Sequence, residues 1–206
     1  MSGTLSRADL VADFKASLHD AVNVFTAAND ADFARMLDVA ALDMGRVRPR
    51  TLLGNITLVA DQDAYTAPAG MLTFKAALWG NARTAQPWDK SWTGRLPDVR
   101  LAMNGAVREL HLQPPPTLQQ ITMLGAAYKF YYFAGHVIGA AAADTSVLAG
   151  DRGLLLLRAQ VEALKEMSLR NINKPTSMRD GISNMTRNGT PAYLWEQLMK
   201  QFEGAV

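Results

Sequence analysis

Cysteine is absent from this 206-residue chain, which removes disulfide scaffolds, thiolate nucleophiles and cysteine metal sites together. A charge excess is missing too. Lys and Arg number 21 against 19 Asp and Glu, a formal net of +2, so bulk electrostatics announce neither nucleic-acid binding nor attachment to a membrane surface. The N-terminus MSGTLSRADL lacks the apolar stretch of a secretory signal, and synthesis and function without export are expected. On that expectation the Asn-X-Ser/Thr sequons at Asn55, Asn184 and Asn188 are chance occurrences.

Chemical motifs are equally scarce. His19, His111 and His136 lie on separate segments, and none has a second histidine at ligand spacing, whereas a zinc site needs three or four converging ligands. The seven aspartates before Arg46 are spread by helical geometry around two helices, which suits a solvated face better than paired acid and base groups. Ala149 to Gly153 reads AGDRG and lacks the lysine or glycine pattern of a phosphate loop. No catalytic residue, metal or cofactor is expected, and the chain reads as a non-enzyme.

What is present is a 49% apolar composition, enough for one substantial core and one main domain. Leu10, Phe14, Leu18, Val22 and Phe25 recur at helical spacing, and Phe33, Leu37, Ala40 and Met44 mark a second helix that Asn29 or Asp30 can cap and Gly45 can end. After Pro49, TLLGNITLVA and MLTFKAALWG read as strands, and VRLAM and AVREL flank Asn104-Gly105, a hairpin-turn pair. Asn81 to Pro97 should be a long irregular loop held by its tryptophans, with Trp79, Trp88 and Trp92 as candidate residues of a contact surface.

Thr117 and Gln120 then make a capping box for a third helix running to about Ala143. Its apolarity approaches a membrane span of about 20 residues, but Lys129 and His136 favour a buried central helix. Asp151 can cap a fourth helix with Leu154, Leu157, Val161 and Leu164 on one face. The stretch from Lys174 to Pro191 reads as a linker or extended arm, and Tyr193, Trp195, Leu198, Met199 and Phe202 belong to an amphipathic terminal helix. The expected fold is α+β, mainly α: a four-helix core with a β insertion at about 50–113 between helices 2 and 3, forming a domain of residues 1–172, then a C-terminal arm and short helix over 173–206.

Charge is polarised along the chain. Up to Gly45 there are three basic and seven acidic residues, and from Arg46 to Leu110 nine basic and five acidic. Arg46, Arg48 and Arg50 concentrate three like charges at a helix-to-strand junction and are candidates for an intersubunit or DNA-facing surface. Two readings stay open: acidic helices of one copy packing on the basic face of the next, or unrelated surface charges.

The order of elements, with GNITLVADQDAYTAPAGMLTF inside the β insertion, resembles the head-to-tail adaptor, or connector, proteins of tailed bacteriophages and phage-derived particles. In these a strand leads to a turn of tyrosine, small residues and proline, matched here by Leu58, Val59, Tyr65, Pro68 and Leu72. The segments SLHDAVNVF, RVRPRTLLG, PWDKSW, YKFYYFAGHVIGAAAADT, DRGLLLLRAQVEALKE and RDG...RNGTPA extend the likeness over most of the chain. It is one of general pattern.

The resemblance implies a virion protein of the neck, made in the host cytoplasm. Its partners would be its own copies in a dodecameric ring, the portal, tail or neck proteins, and double-stranded DNA passing non-specifically through the channel, with no membrane. It also implies a C-terminal arm on the portal, with Lys174, Arg179, Arg187, Tyr193, Trp195, Leu198, Met199 and Phe202 as candidate portal-binding residues. The helical anchor could instead fold back on its own bundle. The competing readings are a nucleic-acid-binding module using Arg46, Arg48 and Arg50, a membrane-associated protein, and an enzyme with dispersed residues such as His111 and Asp151.

Overall fold

The computed structural model describes residues 5–170 and 191–205. The chain forms two compact units, Met1–Arg48 with His136–Val206, and Pro49–Gly135. The fold is α+β, with five α-helices and two small antiparallel sheets among the described residues.

The helical unit contains α1 (Arg7–Leu18), α2 (Ala31–Val47), α4 (Arg152–Arg170) and α5 (Pro191–Gly204). The Ser6 hydroxyl caps α1 by accepting the Asp9 N–H at 3.2 Å. The helix stops at His19, whose φ of 50° is left-handed, and a 3-10 turn over His19–Val24 carries the chain on. The expected stripe therefore breaks after Leu18, although Phe25 still reaches the core. All four residues marking the second helix, Phe33, Leu37, Ala40 and Met44, are buried. Asp30 sits at its N-cap without a side-chain cap bond, and Gly45 does not end it; that glycine is buried in the last turn. Phe33 receives Phe14 and Phe25 edge-on, with ring centroids 5.8 and 5.6 Å apart.

On α4 the buried face is Leu155, Ala159 and Ala163 with Arg158 and Glu162, not the expected stripe of Leu154, Leu157, Val161 and Leu164. Of those four only Val161 is buried; Leu154 and Leu157 pack half-buried against the core. The phase differs because two charged side chains occupy the interior face and satisfy each other there. The terminal helix α5 packs on α4, and Phe202, 2% exposed, completes this core.

The β unit holds β1 (Arg50–Thr57), β2 (Ala64–Thr66), β3 (Met71–Ala77), β4 (Asp98–Asn104), β5 (Val107–Gln113), the short α3 (Leu118–Leu124) and β6 (Ala127–Ala134). Its sheets have the orders β1-β6-β3 and β2-β5-β4. The β4–β5 hairpin pairs Asn104 with Val107, so the turn is Gly105-Ala106, one residue beyond the expected Asn104-Gly105. Gly105 has a φ of 59° and Ala106 no positive φ, the pattern of a turn with glycine at its first central position.

The expected long third helix is not formed. The Thr117–Gln120 capping box is present, but α3 lasts seven residues, ends at Gly125 with φ 89°, and yields to β6. Tyr128, Phe130, Tyr132 and Ala134 alternate inward from β6, which pairs with β1 on one side and β3 on the other. The β insertion therefore extends to Gly135 rather than to about residue 113, and the four-helix core with a central third helix is replaced by the arrangement above. No helix among the described residues is long and apolar enough to cross a membrane. The inner faces of both sheets meet in one core, where Leu110 and Leu112 join Tyr128, Phe130 and Trp79.

Candidate functional site

The basic triplet is dispersed among partners. Arg46 lies 3.6 Å from Asp43 on its own helix, Arg48 pairs with Asp151 at 3.2 Å, and Arg50 Nε donates to the Gly135 carbonyl at 3.0 Å. Arg46 and Arg48 belong to the helical unit and Arg50 to the β unit. Arg46 and Arg48 each face a carboxylate and Arg50 is tied to a backbone carbonyl, so the three do not stand as one unpaired patch.

The acidic start of the chain is likewise met from within. Asp13 pairs with Arg152, Asp30 with Lys15 at 2.5 Å, and Asp38 with Arg7 at 2.8 Å. Asp43 accepts from Arg158, whose guanidinium also lies 3.3 Å from Glu162. Asp32 and Glu166 share Arg35 and Arg170 in a four-membered network joining α2 to α4. Burial pushes both carboxyls up, but hydrogen bonds from the two guanidiniums outweigh it and hold them below their ordinary values of 3.8 and 4.5. Arg35 and Arg170 are correspondingly raised, chiefly by their hydrogen bonds to Glu166. The acidic half of the polarity counted along the sequence is thus largely cancelled inside the helical unit, whereas most of the basic half lies in the β unit.

Of the three loop tryptophans, Trp79 is buried, donates Nε1–H to the Gly125 carbonyl at 2.8 Å and packs on Tyr128. Trp92 is half-buried under the Arg83 guanidinium, 4.0 Å from its ring centroid, while Arg83 Nη1 donates to the Gly94 carbonyl at 2.7 Å. Trp88 alone stands out, 80% exposed. The candidate patch reduces to that residue, because the other two rings build the loop.

Tyr193, Trp195, Leu198 and Met199 are half-buried on α5, and Met199 packs against the helical core that Phe202 enters. Lys174, Arg179 and Arg187, with the expected arm up to residue 190, lie outside the described residues. Of the histidines, His19 is exposed at the end of α1 and His136 is 3.0 Å from the Arg48 carbonyl. His111 sits between Asp63, at 4.0 Å, and Glu109, at 3.3 Å, on the outer face of its sheet. No group of three or more His, Cys, Asp or Glu able to hold a metal occurs among the described residues.

One construction was signalled in the sequence only as a pattern. Tyr65, buried on β2, accepts the Val59 N–H at 3.0 Å and lies 3.1 Å from the Val59 and Gln62 carbonyls, to which its hydroxyl can donate. Asp61, at φ 61°, donates its N–H to the Pro116 carbonyl. The Val59–Asp63 loop is therefore fixed from two sides, in a backbone state uncommon for a residue other than glycine.

No family model and no curated protein matches the chain. Among solved structures, a chain of "Neck of native GTA particle computed with C12 symmetry" is similar at 17% identity and a TM-score of 0.30, covering 94% of this chain and 90% of that one.

Proposed function

We propose that this chain is a structural virion protein, a subunit of the head-to-tail adaptor ring that joins the portal to the tail of a tailed phage or phage-derived particle and surrounds its DNA passageway. The observation that carries the reading is the construction around Tyr65: a strand, then a tyrosine whose hydroxyl ties the incoming loop, then Ala67-Pro68 turning into β3. This is the residue pattern on which the resemblance to adaptor proteins rests, and it lies in a β unit inserted between helices, the order that resemblance implies. The proposal assigns the chain no catalytic role. The carboxylates of the helical unit are largely paired within it, and the β unit keeps exposed apolar residues such as Leu53 and Val59 that suit assembly with protein partners.

The proposed portal contact is the segment Lys174 to Pro191 with the outward side of α5. Phe202 serves the helical core in this structure, so removal of the whole segment would also open that core. The test mixes the full chain with portal and follows rings by negative-stain microscopy and native mass. Rings are expected with the parent, and loss of them with K174E/R179E/R187E combined with Trp195→Ala, which leaves Phe202 in place. Rings undiminished in that variant would remove the arm from the proposal, and no association of the parent with any portal ring would overturn the adaptor reading.

A further inference from the structure

The two sheets of the β unit turn contrasting faces outward. The outer face of β2-β5-β4 carries Asp98, Arg100, Glu109, His111 and Gln113, charges of both signs that water solvates well. The outer face of β1-β6-β3 carries Leu53, Tyr131 and Phe133 with Lys75 and Lys129, and none of its three strands contains an Asp or Glu. Leu53 is 59% exposed and Tyr131 39%, and the register places them side by side. An apolar centre among neutral Thr51, Asn55 and Thr73, with lysines as the only charges on the face, calls for a cover that is apolar and anionic.

Single-stranded nucleic acid fits this face poorly. Base stacking needs a run of open aromatic faces, but Phe133 is taken by the Lys75 ammonium, 4.9 Å from its ring centroid, Leu53, the most exposed apolar group, cannot stack, and Tyr131 alone offers a ring. A protein surface fits better, and the chain itself carries one of the required chemistry. The Val59–Asp63 loop presents Val59, 54% exposed, with the Asp61 and Asp63 carboxylates beside it. Asp61 has no ion pair among the described residues, and Asp63 only a distant one to His111. Because the Tyr65 hydroxyl and the Pro116 carbonyl hold the loop rigid, little ordering cost would attend its docking.

We propose that the outer face of β1-β6-β3 receives the Val59–Asp63 loop of a second copy of this chain, Val59 against Leu53 and Tyr131, with Asp61 and Asp63 toward Lys75 and Lys129. The contact joins two different surfaces, so it is head-to-tail and can propagate around a ring. This inference rests on the adaptor reading and assigns that reading its subunit contact.

The native absence of cysteine makes a direct test available. The full chain carrying both Leu53→Cys and Val59→Cys, oxidised with diamide, should give a ladder of disulfide-linked multimers on a denaturing gel, while either single variant should give no ladder. Adding K75E/K129E should reduce the ladder on the order of tenfold or more through like-charge contact, and D61K/D63K in the same chain should restore it. That restoration also shows that the charge-reversed chain still folds, with circular dichroism as a second check. A double-cysteine chain that never exceeds the single variants, or a ladder indifferent to charge reversal, would overturn the contact. So would a labelled single-stranded oligonucleotide bound by the parent and lost with K75E/K129E, which would give the face to nucleic acid. Portal rings that persist in K75E/K129E would sink this contact and leave the adaptor reading standing; absence of portal rings with the parent would sink that reading, while the ladder still decides the contact.

Discussion

In the helical unit nearly every carboxylate on α1 and α2 meets a cation from another turn or another helix, and a further pair within α4, Arg158 with Glu162, is buried. In the β unit the interior is aromatic, with Trp79, Tyr128, Phe130 and Tyr132 in contact along one line, and the charges stay outside. The first unit spends its electrostatics on itself. The second is held by packing and leaves its charged loops and one cationic sheet face for something else. A contact surface is therefore better sought on the β unit, where most of the basic stretch from Arg46 to Leu110 lies, than on the acidic helices that the charge count also marked.

The largest effect that would break this comparison lies at Arg158. Replacing it with Met leaves the Asp43 and Glu162 carboxylates, among the described residues, with only Arg46, at 3.6 Å, and Lys165, at 3.0 Å. Breaking one side of a buried pair costs about 3–5 kcal/mol, and the two remaining cations place this change near the lower figure. Denaturant unfolding of the full chain checks it. Arg158→Met with Glu162→Met should recover much of the loss; no recovery would mean that the arginine acts by packing rather than by charge.

Next in size is Gly54, on the packing side of the comparison. A Cβ built there would lie 2.6 Å from Phe130 Cζ, and Phe130 is fully buried. Gly54→Ala should cost about 1–3 kcal/mol by overpacking, with hydrogen exchange rising in β1 and β6. Phe130→Leu in the same chain should return part of it. An unchanged Gly54→Ala protein would show that the aromatic line is looser than described.

How much of this was legible depends on whether the partner lay nearby in sequence. The stripe of α2 reads directly because Phe33, Leu37, Ala40 and Met44 are local and periodic. Strand β6 was hidden because its outward residues Tyr131 and Phe133 are as aromatic as its inward ones, so the period of two shows no polar alternation, and an apolar run of that length reads as a helix. The phase of α4 was obscured by four consecutive leucines and by Arg158 and Glu162, whose tolerance of burial depends on Asp43, 115 residues away from Arg158. For the same reason Arg46, Arg48 and Arg50 read as a patch when each has its own partner. The Tyr65 turn was visible as a pattern, but what it fixes, the Val59–Asp63 loop, needed the fold.

The units should also respond to opposite ends of the pH scale. Asp32 and Glu166 lie below their ordinary values when folded, so the stability they contribute is complete above about pH 4.5 and is lost as pH falls through the folded values. Arg170→Gln removes a shared donor and should flatten the acid limb of a stability profile, with the protection lost in α2 and α4. An acid limb as steep as the parent's would show that other carboxylates govern it.

The smallest effect sharpens the alkaline end. Tyr128 is 1% exposed, its hydroxyl has no hydrogen-bond partner among the described residues, and burial, with a lesser contribution from the Asp98 charge, pushes its pKa up to about 12. A raised value means that the fold holds the neutral phenol. Its contribution is complete below about pH 10, the ordinary tyrosine value, and is lost as pH rises through the folded one. Tyr128→Phe removes an unsatisfied polar group while keeping the ring against Trp79 and Phe130, so at neutral pH it should be neutral or stabilising by about 1 kcal/mol. Between pH 10 and 12 the variant should keep stability that the parent loses, read as a shallower fall in melting temperature. A destabilised variant would instead mean that the hydroxyl holds a water, and the β core would then be tied by a polar bond as the helical unit is.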